Sequence, residues 1–207
     1  MQTQDYKFGV VILAAGASRR MGQPKLLLPW GRTSVVGHLL RKWTELGASQ
    51  IAVVCAADAG PLAAELNRVG HPSENRIVNP APEKGMFSSI QCAAKWKAWD
   101  PKLTHWIITL GDQPHLKTET LQTLVDFAAR NPEKICQPMR GERRKHPVVL
   151  PRKFFHELQN STAGHLKIFL LEHAASLSGF DSSDAGLDLD MDTPEDYERV
   201  KALASPL

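Results

Sequence analysis

Apolar positions in this 207-residue chain switch between short continuous runs and helical spacing, and the switching predicts the elements. Phe8 to Leu13 and Ile51 to Cys55 are unbroken apolar runs, the pattern of strands buried on both faces. Between them Val35, Val36, Leu39, Leu40, Trp43 and Leu46 keep helical spacing, with Thr33 or Ser34 as N-cap and Gly47 as a stop. The spacing predicts a short helix over Asp58 to Val69, a short strand over Arg76 to Val78 and a helix over Ser88 to Trp99. Trp106 to Leu110 reads as a strand ending at Gly111-Asp112. Leu121, Leu124, Val125 and Ala128 mark the next helix, closed by Asn131-Pro132. Strands near Lys134 to Gln137 and Pro147 to Leu150 follow. Helices near Pro151 to Leu158 and Ala163 to His173, and a last one from Pro194, complete the chain.

Strands alternating with helices imply βαβ units with helices on both faces of a mostly parallel sheet, a three-layer α/β/α sandwich of Rossmann-like type. Such sheets bind ligands beyond the carboxyl ends of their strands. The loops after Leu13, Val78 and Leu110 would then share one edge. Composition changes this picture little, because 43% hydrophobic and 23% charged residues are ordinary for a globular protein. A net charge of +3 is too mild to argue for a nucleic-acid partner. Neither a membrane span nor a secretory leader is read in the chain, whose start from Met1 to Lys7 is polar. Cys55, Cys92 and Cys136 are odd in number and far apart, which suits free thiols in a reducing cytoplasm. The eight histidines form no zinc pattern, and no domain boundary stands out.

Candidate chemistry gathers where the first strand ends. Ala14-Ala15-Gly16 lets a ligand approach the backbone closely. Arg19 or Arg20 can fork onto phosphate oxygens, and Lys25 adds a compact cation. The loop suits a polyphosphate, yet its spacing is neither GxGxxG nor GxxxxGK[ST]; taken alone, Arg-Arg also fits a solvated basic turn. Asp112 is either a hard oxygen ligand at the ligand edge or a strand-end turn residue. Ser89 opens a helix and can be a plain helix-start serine. Thr193 can cap the last helix, with Pro194 at its first position and Glu195 and Asp196 in its first turn; this leaves Asp190 unexplained. Arg140, Arg143, Arg144, Lys145 and His146 would make a cationic lip for an anion, although a lone histidine is more often structural.

Leu13 to Gly22 with Lys25 resembles the motif of nucleotidyltransferases of GT-A-like fold. Within them the chain is most similar to the molybdenum cofactor cytidylyltransferases and their MobA-like relatives. Asn79-Pro80 with Gly85 to Ile90 resembles their second nucleotide loop, and Gly111 to Pro114 their metal-binding turn. His146 to Leu150 resembles the acceptor-side segment, and Asp190 to Tyr197 the C-terminal acidic motif. The resemblance implies a single nucleotidyltransferase domain over residues 1–207, with a nucleotide-binding half to about residue 115 and an acceptor-binding half from about residue 116. It implies nucleotide contacts at Leu13, Ala14, Ala15, Gly16, Ser18, Arg19, Lys25, Asn79, Gly85, Ser89 and Asp112. Arg19, Lys25 and Asp112 would be catalytic; Asp112 and Asp190 would hold Mg²⁺ or Mn²⁺, with Asp192 a less certain ligand. Arg144, Lys145 and His146 would face the acceptor, and Lys145 departs from the glycine usual in the family.

The implied reaction moves CMP from CTP onto the phosphate of molybdopterin and releases pyrophosphate. Ala15 carries the base preference, because the guanylyl-transferring relatives commonly have a second glycine there. The product would pass to a molybdoenzyme or its chaperone. Alternatives are GTP as donor, a sugar or polyol phosphate as acceptor, or a non-catalytic cofactor-binding chaperone.

Overall fold

The computed structural model describes residues 6–204; Met1 to Asp5, part of the polar start read above, and the last three residues lie outside the described residues. Among the described residues ten strands form: β1 (Phe8–Leu13), β2 (Pro29–Trp30), β3 (Thr33–Ser34), β4 (Gln50–Ala56), β5 (Arg76–Asn79), β6 (His105–Leu110), β7 (Ile135–Arg140), β8 (Arg143–Arg144), β9 (Val148–Pro151) and β10 (Leu177–Asp181). The α-helices are α1 (Val35–Glu45), α2 (Gly60–Arg68), α3 (Met86–Lys95), α4 (Thr118–Arg130), α5 (Arg152–Glu157), α6 (Leu166–Glu172) and α7 (Pro194–Ala204). The main sheet runs β10-β7-β9-β6-β1-β4-β5, with β8 paired to β7, while β2 and β3 make a separate small hairpin.

Alternation along the central strands builds two cores. Val10 and Ile12 of β1, Val53 of β4 and Ile107 of β6 point to one face, packed by α1, α2, α4 and α7. Val11, Val54 and Ile108 point to the other, packed by α3, α5 and α6. Both faces are covered, so these strands carry no polar alternation, and the α/β/α sandwich read from the sequence is the observed fold.

One detail refines the sequence reading of a mostly parallel sheet, and two differ from it. The sheet is mixed, because β9 runs antiparallel to both β6 and β7. A strand missed in the sequence, β10, pairs parallel with β7 at the sheet edge; half-exposed Leu-Ser-Gly-Phe-Asp offers no apolar run to reveal it. The helix expected to reach Trp99 stops at Lys95. Trp99 instead folds back, donating its indole N–H to the Ala93 carbonyl at 2.8 Å. Its ring covers Gly9 so closely that a Cβ there would lie 3.0 Å from it.

Candidate active site

The carboxyl ends of β1, β4 and β6 open onto one edge, and the loops leaving them line two adjoining cavities. The smaller, about 300 Å³, is bounded by Leu13 to Gly16, Ser18, Lys25, Gly85, Ser89, Gly111 and Asp112. The larger, about 890 Å³, continues along the first loop past Arg19 to the turn after β4, at Ala56 and Asp58. The contribution of β4 was missed in the sequence, although any strand parallel to β1 must deliver its following loop to the same edge.

The first loop is shaped by its backbone. Ser18 takes a left-handed conformation (φ 49°), uncommon outside glycine, and Gly22 does so too (φ 72°), on either side of a single 3-10 turn. The Ser18 hydroxyl accepts a hydrogen bond from the Lys25 amide at 3.2 Å, so the loop closes on itself. Lys25 then reaches across the edge. Its Nζ lies 2.6 Å from Asp112 Oδ2 and 3.2 Å from Asp192 Oδ1. Burial would push the Lys25 ammonium down, but Asp112, with Asp192 behind it, holds it above the ordinary lysine value.

Asp112 owes its position to its neighbour. A Cβ at Gly111 would sit 2.7 Å from the Leu13 carbonyl oxygen and 2.8 Å from the Leu26 side chain. Only glycine lets the β6 turn press against the end of β1, where the Gly111 amide donates to Leu13 at 3.1 Å. Beneath this turn, buried Lys42 of α1 donates to the carbonyls of Pro114 (2.9 Å) and Leu116 (2.7 Å). Burial lowers the Lys42 ammonium to about 8, partly opposed by Asp184.

The acidic motif arrives from the other half of the chain. Asp190 accepts a hydrogen bond from Gln113 Nε2 at 3.2 Å, beside the Asp112 turn. Asp192 binds Lys25 and also Arg20 Nη2 at 2.6 Å. Thr193 caps α7 as well, exchanging hydrogen bonds with Asp196, so the cap and the carboxylate cluster coexist. Asp112 Oδ1 is buried with no hydrogen-bond partner. An orphaned carboxylate oxygen with two further carboxylates nearby fits a hard divalent ion. Such an ion takes most of its ligands from phosphate and water, and among the described residues no cluster of three ready-made ligands exists.

The remaining sequence candidates fall in different places. Asn79 stands behind the wall, donating to Ser88 (2.8 Å) and Ser89 (2.9 Å) and accepting from the Ala81 amide, so it staples the loop before α3. Arg144, Lys145 and His146 line a further cavity between β7 and α6. Lys145 Nζ is held 2.6 Å from Asp188, which also takes Arg140 Nε at 2.5 Å; two members of the cationic lip are thus neutralised within the chain.

Sequence comparison matches residues 10–176 to the MobA-like NTP transferase domain. The chain belongs to that family. It is a nucleotidyltransferase. It is 26% identical to the molybdenum cofactor cytidylyltransferase of Escherichia coli, over 92% of this chain and 94% of that protein. It is 28% identical to the nicotine blue oxidoreductase of Paenarthrobacter nicotinovorans, over 92% of this chain and 94% of that protein. Rv0371c of Mycobacterium tuberculosis superposes with a TM-score of 0.73 at 26% identity, covering 95% of this chain and 98% of that one. A second structure of Rv0371c, a complex with manganese, superposes with a TM-score of 0.68 at 24% identity and the same coverage. No helix among the described residues is long and apolar enough to cross a membrane.

Proposed function

We propose that this nucleotidyltransferase moves CMP from CTP onto the terminal phosphate of molybdopterin, releasing pyrophosphate. The observation that carries the reading is the Lys25–Asp112 pair at 2.6 Å. It brings a phosphate-loop cation and a strand-end carboxylate together across 87 residues of chain, at the mouth of a cavity floored by Ala14, Ala15 and Gly16. An oxidoreductase relative shows that similarity at this level does not by itself fix the reaction. The charge arrangement favours transfer to phosphate.

In this reading residues up to about 115 hold the nucleotide and those from about 116 hold the acceptor. Triphosphate oxygens take over Lys25 from Asp112 and Asp192, and Arg20 and Arg19 become available to the same anion. Ala15 and Gly16 admit the phosphates to the backbone, while Ser89 and Gly85 face the nucleoside. A divalent ion, Mg²⁺ or Mn²⁺, held by Asp112 with Asp190 or Asp192, would offset charge on the α-phosphate. An acceptor phosphate oxygen attacks the α-phosphorus as the bond to pyrophosphate breaks. That oxygen is already anionic and needs no general base, so the protein's part is positioning and charge neutralisation. The enzyme would act in the cytoplasm and pass its product to a molybdoenzyme or its chaperone.

The test is an assay of CTP, GTP, ATP and UTP with Mg²⁺ and molybdopterin, followed by the mass of the product. CMP attachment with CTP is expected. Transfer from GTP alone would overturn the base assignment, and transfer from none of the four would overturn the acceptor.

A further inference from the structure

The turn after β6 and the segment after β10 lie far apart in the chain, and buried hydrogen bonds join them. His115, 6% exposed, stands in the turn just past Asp112. Its ring Nε2 is 3.0 Å from the Gly186 carbonyl, 71 residues further along. A carbonyl oxygen only accepts, so Nε2 carries the hydrogen and donates. The other ring nitrogen, Nδ1, is buried without a partner. Burial holds the imidazolium below its ordinary pKa, which keeps the ring neutral with a single N–H to give. Asp184, 4% exposed, makes the reverse connection. Its Oδ2 accepts from the Lys117 amide at 3.0 Å and the Thr120 hydroxyl at 2.9 Å, and its Oδ1 from the Gly186 amide at 2.9 Å. Gly186 thus has both backbone groups tied, and a Cβ there would lie 2.9 Å from His115 and 3.0 Å from Asp184. Lys42 in turn holds the carbonyls that flank His115, those of Pro114 and Leu116.

We infer that His115 and Asp184 are positioning residues, which fix the segment 184–190 to the Asp112 turn so that Asp190 stands beside Asp112 before any ion or nucleotide arrives. The inference rests on the reading in which Asp112 and Asp190 share a divalent ion, and adds the groups that set their spacing. A carboxylate on a free loop loses conformational entropy when it meets an ion, whereas one fixed by the fold has lost it already. The last link is Gln113, which donates to Asp190 itself at 3.2 Å. Side-chain reach alone lets that bond form from many loop geometries; the bonds at Gly186 and Lys117 hold the backbone to one. The residue type at position 115 points the same way. A phenyl ring would fill the space and bury no unpaired nitrogen. What the imidazole adds is one hydrogen bond, and that bond runs to the acidic segment. Asp184 has both oxygens engaged within the chain, so it acts through the backbone and not as a ligand.

The experiment titrates Mn²⁺ into the intact protein without nucleotide, reads the bound ion by paramagnetic resonance, and measures CTP affinity in EDTA alongside. His115→Phe keeps a ring of similar volume and removes the N–H. His115→Gln keeps an amide N–H on a side chain long enough to reach the same carbonyl. Thr120→Val takes a hydroxyl from Asp184 at equal volume. His115→Phe and Thr120→Val should each weaken Mn²⁺ binding by about tenfold, the effect of losing a group that orients a ligand. His115→Gln should recover most of that loss. CTP affinity in EDTA should be unchanged in all three, because the loop from Ala14 to Lys25 lies outside these bonds. Lowered thermal stability with Mn²⁺ affinity intact in His115→Phe overturns the inference, and so does an equal loss of affinity in His115→Phe and His115→Gln. If His115→Phe fails to fold, Thr120→Val decides by the same criterion. Asp112→Ala tells the two readings apart. If it binds Mn²⁺ as the unaltered protein does, the ion is not held at Asp112 and the reading of the site falls with the inference. If it loses Mn²⁺ while folded His115→Phe does not, the inference falls alone.

Discussion

Two lysines at the site sit in opposite electrostatic situations. Lys25 is held above its ordinary pKa by carboxylates, whereas Lys42 is pushed to about 8 by burial against carbonyls. Asp112 is the residue on which the proposed reaction turns. Asp112→Ala should lower kcat by at least about 10²-fold while the protein stays folded by circular dichroism; full activity in a folded variant would refute the role. For Lys42 the prediction concerns pH. Between about 8 and its ordinary value near 10.5, the unfolded chain holds a proton there that the folded chain has lost. Stability from this group is therefore present above that window and lost as pH falls through 8. Urea midpoints of the protein and of Lys42→Met should diverge in favour of the unaltered protein between pH 7 and pH 10, by about 1–3 kcal/mol. A constant difference would show that Lys42 keeps its proton throughout. Lys25 acts in the opposite sense in both proteins and cancels in the comparison. Lys42 was not legible as a site residue, because in sequence it is one polar position on an amphipathic helix.

Among the elements, β6 and its turn do the most to shape the site. The turn approaches the end of β1 so closely that side-chain volume at position 111 has nowhere to go. Gly111→Ala should destabilise by about 1–3 kcal/mol through overpacking and also shift Asp112. Thermal unfolding and kcat measured together check this, and a variant unchanged in both would show that the Leu13 carbonyl yields freely. The strand-end loops were legible because apolar runs ended at Leu13 and Leu110 and polar residues followed. The end of α3 was not. Helical spacing continues through Trp96 and Trp99, and only packing against Gly9 shows that Trp99 serves the core better outside the helix.

Across the whole molecule, residues 188–192 tie the two sides of the site together. Asp188 clasps Arg140 and Lys145, Met191 is buried in the core, and Asp192 clasps Arg20 and Lys25. An anionic acceptor must compete with Asp188 for those two cations. Asp188→Asn should therefore lower the acceptor KM about two- to fivefold, an effect of exposed-pair size that fades with added salt, and leave the CTP KM alone. A raised acceptor KM would mean that the clasp holds the lip in its working shape. The sequence by itself determined the layered β/α order, the edge at which the loops after β1 and β6 gather and the chemical character of those loops. These depend on each residue's near neighbours, whose periodicity is written along the chain. Only the tertiary structure decided that β9 runs antiparallel, that β10 forms the edge of the sheet and that Asp192 meets Lys25. Those are contacts between distant positions, set by which strands abut and by how much room their side chains leave, and no local pattern records them.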